Sequence, residues 1–308
     1  MKSDPIHIHE VAPRDGLQNE PEVVSTTDKL GLIEHLVAAG VKDIEVTSFV
    51  RPSWIPQLAD ASELVTRLPR SENVRFWALV PNRRGLERAI GAGVSHIATF
   101  MSASQTHNQK NLNRTRKESL MGLSRVHEIA QDEGLRVRSY ISTVFGCPYE
   151  GNVPVEASRD LTHALLETGC DVVALGDTTG MANPRQVENI VRMLVDDGIP
   201  IDRLALHLHD TRGAALANAL AGYRAGIRCF DGSVAGVGGC PYAPGASGNA
   251  ATDDMVHMFE AMGISTGIDL DRLTDAGLYL SSVLGRSLPG RYHRFRAASA
   301  EQASRKKA

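Results

Sequence analysis

Hydrophobic and polar positions alternate along the chain in one recurring order. A short β-branched run precedes a loop, a segment with apolar residues three and four apart, and then a glycine. The runs predict buried strands, and the spaced apolar residues predict amphipathic helices. The predicted strands span 6–12, 43–47, 74–80, 96–101, 136–142, 171–175, 203–208 and 229–234. The predicted helices span 27–39, 55–68, 84–92, 117–133, 155–168, 184–195, 213–225 and 249–262.

This alternation predicts an α/β fold, a (β/α)8 TIM barrel. Strand starts lie roughly 30 residues apart, the size of one strand–helix unit, and eight such units close a barrel. Four of the helix-to-strand junctions contain glycine, at Gly40, Gly93, Gly169 and Gly226. Glycine there is typical of a helix that ends in left-handed backbone. A doubly wound open sheet is the alternative, but the first strand–helix turn, residues 13–17, lacks a GxGxxG phosphate-binding motif.

The predicted barrel forms one catalytic domain over residues 1–262. Residues 263–308 are too few for an independent domain with a core of its own. We expect additional C-terminal helices in this segment, one of them at about 270–284, packed on the barrel and followed by a frayed basic tail.

The composition excludes several classes of protein. Hydrophobic residues make up 42% and charged residues 22% of the chain, as in globular rather than disordered proteins. The net charge of −3 provides no global positive field for nucleic acid or anionic lipid. The long uncharged stretch 232–252 contains six glycines and two prolines, which predicts a loop rather than a membrane span. We therefore expect neither a nucleic-acid nor a membrane partner.

The cysteines and the N-terminus bear on the cellular compartment. The four cysteines are dispersed and form no CxxC pair, which favours a reducing environment. The first residues have the composition of neither a signal peptide nor a transit peptide. We expect a cytoplasmic protein, and the sequence leaves a homo-oligomer open.

Candidate functional residues lie at the carboxyl ends of the predicted strands and in the loops that follow. In a TIM barrel these ends form a single mouth that carries the active site. The polar residues predicted there are Arg14, Asp15, Glu45, Tyr140, Asp177, Thr178, His207, His209, Cys240 and Asn249.

The sharpest local signal is the HLH sequence at 207–209. Side chains alternate along a strand, so both imidazoles face the barrel interior and can bind one metal ion. An isolated pair of this kind is more often two core or surface histidines. Asp15 adds a carboxylate, and Asn249 adds an amide oxygen because unit eight lies beside strand one in a closed barrel. This set suits Mg²⁺ or Mn²⁺, whereas zinc more readily takes thiolate.

Cys240 lies in a glycine-rich loop, 236–242, and has two interpretations. A thiol near a metal and Arg14 has a lowered pKa and can exchange protons. Alternatively, the glycines serve tight turns and Cys240 is an incidental small residue. Cys147, in the similar string GCPY, is the competing reactive cysteine.

The charged candidates also have structural alternatives. Glu45 is either functional or a hydrogen-bonded acid inside the barrel, and Asp177 is either functional or a cap for the next segment. Arg14 has a stronger case, because a buried cation is costly unless it meets an anion or a developing oxyanion. Scattered pairs such as Arg83 and Arg84 are predicted to be solvated surface.

Four segments together resemble hydroxymethylglutaryl-CoA lyases. They are VAPRDGLQNE at 11–20, IEVTSFV at 44–50, HLHDT at 207–211 and the glycine-rich cysteine loop at 233–249. The similarity extends from about residue 6 to 267. The RDGxQ element alone is shared with a wider superfamily that includes isopropylmalate and homocitrate synthases.

The resemblance implies a TIM-barrel enzyme that cleaves a 3-hydroxy-3-carboxyalkyl acyl-CoA to acetyl-CoA and a keto acid, acetoacetate for the namesake substrate. The implied metal ligands are Asp15, His207, His209 and Asn249. The implied catalytic residues are Arg14, Glu45, Cys240 and His207. The expected substrate contacts are Arg14, Gln18, Tyr140, Asp177 and Thr178. In this scheme Cys240 or a group beside the metal removes the hydroxyl proton, Arg14 holds the enolate oxygen, and Glu45 and His207 help to move the proton to carbon.

Two loops depart from the family pattern, at 81–84 and 101–114. Another substrate, such as citramalyl-CoA or a longer-chain 3-hydroxyglutaryl-CoA, is therefore an alternative. A condensing synthase of the wider superfamily is a second hypothesis, and a non-catalytic barrel that binds acyl-CoA or a metal is a third. The short segment after Gly263 and the GGCPY loop argue against the synthase.

Overall fold

Eight parallel strands close into a barrel in sequence order, with β1 paired to both β2 and β8. The computed structural model describes residues 4–69, 71–239 and 248–305, the last six of these by their backbone alone. The strands are β1 His7–Glu10, β2 Asp43–Ser48, β3 Arg75–Leu79, β4 His96–Ser102, β5 Arg136–Ser142, β6 Val172–Gly176, β7 Leu204–His207 and β8 Cys229–Gly232. The predicted TIM barrel is confirmed, and the open sheet is excluded.

Helices lie between the strands and beyond the last one. They are α1 Thr26–Ala38, α2 Ala61–Thr66, α3 Arg83–Gly91, α4 Gln105–Leu112, α5 Arg116–Asp132, α6 Val155–Glu167, α7 Pro184–Asp196, α8 Ala215–Arg224, α9 Thr252–Ala261, α10 Leu270–Leu284 and α11 Arg291–Arg305. No helix in the described part of the chain combines the length and apolar character needed to cross a membrane.

Two helical segments differ from the prediction. The helix expected at 55–68 is a 3-10 turn, Pro56–Leu58, followed by the shorter α2. Asp60 lies at the break, and its carboxylate accepts hydrogen bonds from Thr26 and Lys29 of α1, 2.8 and 2.7 Å away. The helix α4 was not predicted, because α4 is polar and lacks an apolar stripe. Its start is instead capped by Ser104, which accepts a hydrogen bond from the backbone of His107.

The core has two layers. The larger lies between the strands and the surrounding helices, and a small cluster lies inside the barrel. The inner cluster contains three alanines, Ala98, Ala174 and Ala205. These small side chains leave room inside the barrel for the charged residues described below.

Hydrogen bonds hold the C-terminal segment against the barrel. The backbone of Asp269, before α10, donates a hydrogen bond to the carbonyl of Ala39. Asp254 of α9 accepts hydrogen bonds from the backbone of Arg291 and Tyr292 at the start of α11, at 3.1 and 2.6 Å. The helix predicted at 270–284 is confirmed, and α11 extends helical structure into residues expected to be a polar tail. The division of the chain at 262 stays a prediction.

Glu10 at the end of β1 ties together three segments around the barrel mouth. Its buried carboxylate accepts hydrogen bonds from the backbone of Ala12 and Val234, at 2.8 and 2.9 Å, and from the Thr252 hydroxyl at 2.7 Å. Burial raises the pKa of Glu10 to about 7, although these hydrogen bonds lower it.

We expect this carboxyl to make the free energy of unfolding decrease as the pH rises from 4.5 through about 7. The unfolded chain releases the Glu10 proton more readily than the folded chain, and a shift of this size corresponds to about 3 kcal/mol. Glu10→Gln keeps the shape without a titrating proton, so its stability should depend less on pH. Urea unfolding at about pH 5 and about pH 8, with chelator present, measures the difference. An unchanged pH dependence in the variant would contradict this assignment, and Glu156→Gln, at an exposed position of α6, is the control.

Candidate metal and acyl-CoA site

The loop after β1 is a single π-helical turn, Ala12–Gly16, which presents Arg14 and Asp15 at the barrel mouth. The Val11 carbonyl accepts the backbone N–H groups of Arg14, Asp15 and Gly16. Gly16 lies so close to the loop after β8 that a Cβ there would meet a Val237 side-chain atom at 2.7 Å. Glycine at this position therefore lets the first and last loops approach.

The four predicted metal ligands come together. Ligand atoms of Asp15, His207 and His209 all lie within 4.8 Å of one another. The Asn249 amide donates a hydrogen bond to Asp15 Oδ2 at 2.9 Å. Its Oδ1 atom is buried and has no hydrogen-bond partner among the described residues. The Nε2 atoms of the two histidines face each other at 3.1 Å. Two opposed ring nitrogens, a carboxylate and an unpartnered amide oxygen fit a divalent cation.

The pKa shifts of Asp15 and His209 favour the protonation states that bind a cation. Burial raises the pKa of Asp15, but the charges of Arg14 and the two histidines lower it to about 2. Burial lowers the pKa of His209 to about 3, assisted by the neighbouring His207 and Arg14. At neutral pH the carboxylate is therefore ionised, and the His209 lone pair is available.

His207 has a partner that was not predicted from the sequence. Its Nδ1 atom lies 3.0 Å from Asp231 Oδ2, on β8. Asp231 is in turn paired with Arg138 of β5, and both side chains are buried. A carboxylate on Nδ1 holds the proton there and turns the Nε2 lone pair towards the metal set.

We expect Asp231→Asn to weaken metal affinity by about 10- to 100-fold, because an amide no longer fixes the tautomer and ring orientation of His207. Titration calorimetry with Mn²⁺ measures this. The control is Asp171→Asn, which removes a carboxylate paired with Arg136 at the opposite end of the barrel. A lower melting temperature with unchanged Mn²⁺ affinity would show that Asp231 only supports the fold.

Glu45 lies behind Arg14 rather than on the cavity wall. Its carboxylate pairs with Arg14 and accepts a hydrogen bond from the Tyr140 hydroxyl at 2.6 Å, and His9 Nε2 lies 3.3 Å away. Burial raises the pKa of Glu45, but Arg14, His9 and Tyr140 together lower it to about 2. A carboxylate held this firmly in its ionised form orients Arg14 and is a weak proton acceptor near neutral pH.

A cavity of about 1410 Å³ opens above these groups. Arg14, Asp15, both histidines and the predicted substrate contacts Gln18, Tyr140 and Thr178 line it. Asp177 is not among the lining residues. Its Oδ1 atom instead accepts the backbone N–H groups of Met181 and Ala182, at 2.7 and 3.1 Å, so the structure favours the capping alternative.

The two competing cysteines differ in what can be described. Cys240 lies outside the described residues. Cys147 is buried, with its Sγ atom 3.0 Å from the Ser104 hydroxyl and in contact with two backbone N–H groups. It is not among the residues that line the cavity. This location argues against Cys147 as the reactive thiol.

Comparison with known proteins identifies the family. A family model described as HMGL-like matches residues 5–279. The chain is 50% identical to hydroxymethylglutaryl-CoA lyase YngG of Bacillus subtilis, over 93% of this chain and 95% of that protein. The chain belongs to the hydroxymethylglutaryl-CoA lyase family. The resemblance seen in the sequence is confirmed.

Two further members of the hydroxymethylglutaryl-CoA lyase family bear on its chemistry. A Pseudomonas aeruginosa protein named 3-hydroxy-3-isohexenylglutaryl-CoA/hydroxymethylglutaryl-CoA lyase is 43% identical, over 92% of this chain and 94% of its own. A solved HMG-CoA lyase from Acinetobacter baumannii, in complex with coenzyme A and 3-methylmalate, matches with a TM-score of 0.91. It is 41% identical and covers 96% of each chain.

Three residues in this lyase's site were missed, namely His9, Arg138 and Asp231. Each is a polar or charged residue within a predicted strand. Arg138 also lies two positions before Tyr140, so both face the barrel interior, with the guanidinium 5.1 Å from the ring centre. That spacing was the available signal. Which acid Arg138 would meet across the barrel depends on how the barrel closes.

Proposed function

We propose that this protein cleaves 3-hydroxy-3-methylglutaryl-CoA to acetyl-CoA and acetoacetate. The observation that carries the proposal is the Arg14 guanidinium beside the Asp15, His207 and His209 cluster, at one end of a large cavity. The names of the related proteins support the same reaction. We also propose Mg²⁺ or Mn²⁺ as the cofactor, held by Asp15, His207, His209 and Asn249.

When bound, the divalent ion lowers the pKa of the substrate's tertiary hydroxyl and offsets the negative charge of the substrate's carboxylate. A base, proposed below to be Cys240, removes the hydroxyl proton. A C=O bond then forms at C3, and the C2–C3 bond breaks with its electron pair going to C2. This produces acetoacetate and the enolate of acetyl-CoA. Arg14 donates hydrogen bonds to the enolate oxygen, which carries more charge after bond breakage than before. Return of the proton to C2 gives acetyl-CoA.

The contacts of Glu45 and His207 bear on their expected roles. Glu45 pairs with the guanidinium from behind and is itself hydrogen-bonded by the Tyr140 hydroxyl, which makes a positioning role for Glu45 the better supported one. The expected proton transfer by His207 is not supported by its contacts, because Nε2 faces the metal set and Nδ1 lies against Asp231, which leaves neither ring nitrogen for the substrate.

Cys240 is proposed as the base that takes the hydroxyl proton. Cys240→Ala should lower turnover at least about 100-fold, the usual size of a general base contribution. Cys147→Ala should have a far smaller effect, since this buried cysteine lies off the cavity wall. Steady-state rates of both variants test the assignment, and equal losses would refute it.

A substrate panel tests the proposed function. The purified protein, with Mg²⁺ or Mn²⁺, is incubated with 3-hydroxy-3-methylglutaryl-CoA, citramalyl-CoA and a longer-chain 3-hydroxyglutaryl-CoA, and acetyl-CoA release is measured. The highest kcat/KM is expected for the first. Net condensation of acetyl-CoA with a 2-oxo acid would instead identify a synthase. A cytoplasmic location and a homo-oligomer stay predictions.

A further inference from the structure

The charged and the apolar side chains of the strand ends lie on opposite sides of the barrel mouth. Arg14 and Asp15 come from the loop after β1, and His207 and His209 come from the end of β7, so these four residues lie on either side of β8. In a closed ring of eight strands, β4 lies opposite β8. The wall that faces the metal ligands and Arg14 is therefore formed by β3, β4 and β5.

These three strands carry the apolar part of the wall. Leu79 at the end of β3, Phe100 in β4 and the Tyr140 ring in β5 all line the cavity. Within the described ranges, no other strand places an apolar side chain on the cavity wall, since β6 contributes Gly176 and β7 contributes His207. An apolar surface thus faces the charged one across the mouth.

Tyr140 is already held by polar contacts. Its hydroxyl donates a hydrogen bond to Glu45 at 2.6 Å, and the guanidinium groups of Arg14 and Arg138 lie 5.7 and 5.1 Å from its ring centre. Phe100 pairs in register with Tyr140, so the two rings are neighbours on the inner face of the barrel. Leu79 and Phe100 therefore form the purely hydrocarbon part of this wall.

Small side chains lie beneath Leu79 and Phe100. Ala98 precedes Phe100 by two positions, so it shares the inner face of β4 and lies further from the mouth, where it pairs in register with Leu79. Phe100 packs against the inner cluster that contains Leu79, Ala98, Ala174 and Ala205. A shorter side chain at position 100 would therefore open a space lined by methyl groups, without exposing a buried polar group.

The tetrahedral C3 atom of the substrate determines which group meets this wall. C3 carries the hydroxyl, the carboxylate arm, the thioester arm and one alkyl substituent. In the proposed function the hydroxyl and the carboxylate face the metal ligands, and the thioester oxygen faces Arg14. The alkyl substituent then points away from these three groups, towards β3 and β4.

We propose that Leu79 and Phe100 form the seat of the C3 substituent and limit its size. This inference rests on the proposed function, because the metal ligands and Arg14 orient the other three groups on C3. A methyl group is small enough to lie against both side chains, whereas a longer alkyl chain meets the Phe100 ring. Removing the ring should therefore widen the range of substrates rather than abolish the reaction.

The first test compares two esters in two variants. 3-Hydroxy-3-methylglutaryl-CoA and its 3-butyl homologue differ only in the C3 substituent, and the wild-type protein should have the higher kcat/KM for the methyl ester. In Phe100→Ala, the ratio of the butyl to the methyl kcat/KM should rise at least about tenfold, the lower limit for one methylene in a hydrophobic pocket. Phe76→Ala is the matched control, because Phe76 is also half-buried but packs outside the barrel, from neighbouring β3. Its ratio should equal that of the wild type.

Leu79→Phe makes the opposite change, because its larger ring fills the space that the methyl group occupies. The comparison ester is 3-hydroxyglutaryl-CoA, which carries hydrogen in place of the methyl group. The ratio of the methyl to the hydrogen kcat/KM should fall at least about tenfold. Each ratio is taken within one protein, so a general loss of activity does not change it, and this variant decides the matter if Phe100→Ala does not fold. Equal kcat/KM for the methyl and butyl esters in the wild type, or unchanged ratios in these variants, would overturn the seat.

The free acids separate the seat from the reaction. Titration calorimetry of the Mn²⁺-loaded protein with 3-hydroxy-3-methylglutarate and 3-butyl-3-hydroxyglutarate measures the same preference without cleavage. The wild type should bind the methyl acid more tightly, and Phe100→Ala should shift the ratio of dissociation constants towards the butyl acid at least about tenfold. If neither ester is cleaved but the acids show this shift, the proposed function fails while the seat stands. If the methyl ester is cleaved but no ratio changes, the seat fails while the proposed function stands.

Discussion

Replacing His209 with alanine should abolish tight Mn²⁺ binding and lower kcat by about 1,000-fold or more, since a lost metal removes several kcal/mol of transition-state stabilisation. His209 is buried, its Nε2 atom faces that of His207, and its Nδ1 atom has no partner among the described residues. The ring makes few other polar contacts, so the substitution should weaken metal binding more than it weakens the fold.

Titration calorimetry with Mn²⁺ and steady-state rates measure the two effects separately. His163→Ala is the matched control, because His163 is a half-exposed histidine on α6 that also has a carboxylate partner, Asp197, at 2.7 Å. Its metal stoichiometry and rate should equal those of the wild type. A His209→Ala protein with normal metal content and affinity would remove His209 from the ligand set.

Arg14→Lys should lower kcat by about 100- to 1,000-fold, the usual cost of losing one donor to a developing oxyanion. Arg14 spans two carboxylates, with Nε on Glu45 and Nη1 on Asp15. Lysine keeps the positive charge but has a single nitrogen, so it cannot hold both acids and also donate to the enolate. Metal stoichiometry should not change, since Arg14 is not a ligand.

The alanine variant separates catalysis from stability. Arg14→Ala leaves Glu45 buried without its cation, which typically costs about 3–5 kcal/mol, so its melting temperature should fall well below that of Arg14→Lys. Rates at saturating substrate, metal content and thermal melts distinguish the three proteins. A lysine variant that keeps kcat within about threefold of the wild type would show that the guanidinium geometry is not used in the transition state.

Most of the fold could be predicted from local sequence patterns. The eight strands, the glycine junctions and the helix at 270–284 follow from periodicity and backbone preference between near neighbours. Gly40 and Gly226 adopt φ values of 91° and 110°, as those junctions require. Polar α4 and the π-helical turn after β1 were missed because neither has an apolar repeat to reveal it.

The candidate site divides in the same way. Strand alternation and barrel closure made Asp15, His207, His209 and Asn249 candidates for one metal site, and the family resemblance implied the same four residues. The ligand atoms of the first three do cluster. The two interpretations of Asp177, and likewise of Glu45, could not be separated from sequence, because each carboxylate's partners decide between them. In the structure, the Asp177 carboxylate accepts a backbone N–H of the following turn, and Glu45 lies behind Arg14.

The sequence by itself determined the order of elements, the barrel and the residue types at its mouth, since these depend on spacing along one chain. Only the tertiary structure decided which side chains meet across it. Asn249 contacts Asp15 from 234 positions away, and Arg138 pairs with Asp231 from 93 positions away. Residues on different loops become neighbours only once the ring of strands has closed and fixed where each loop begins.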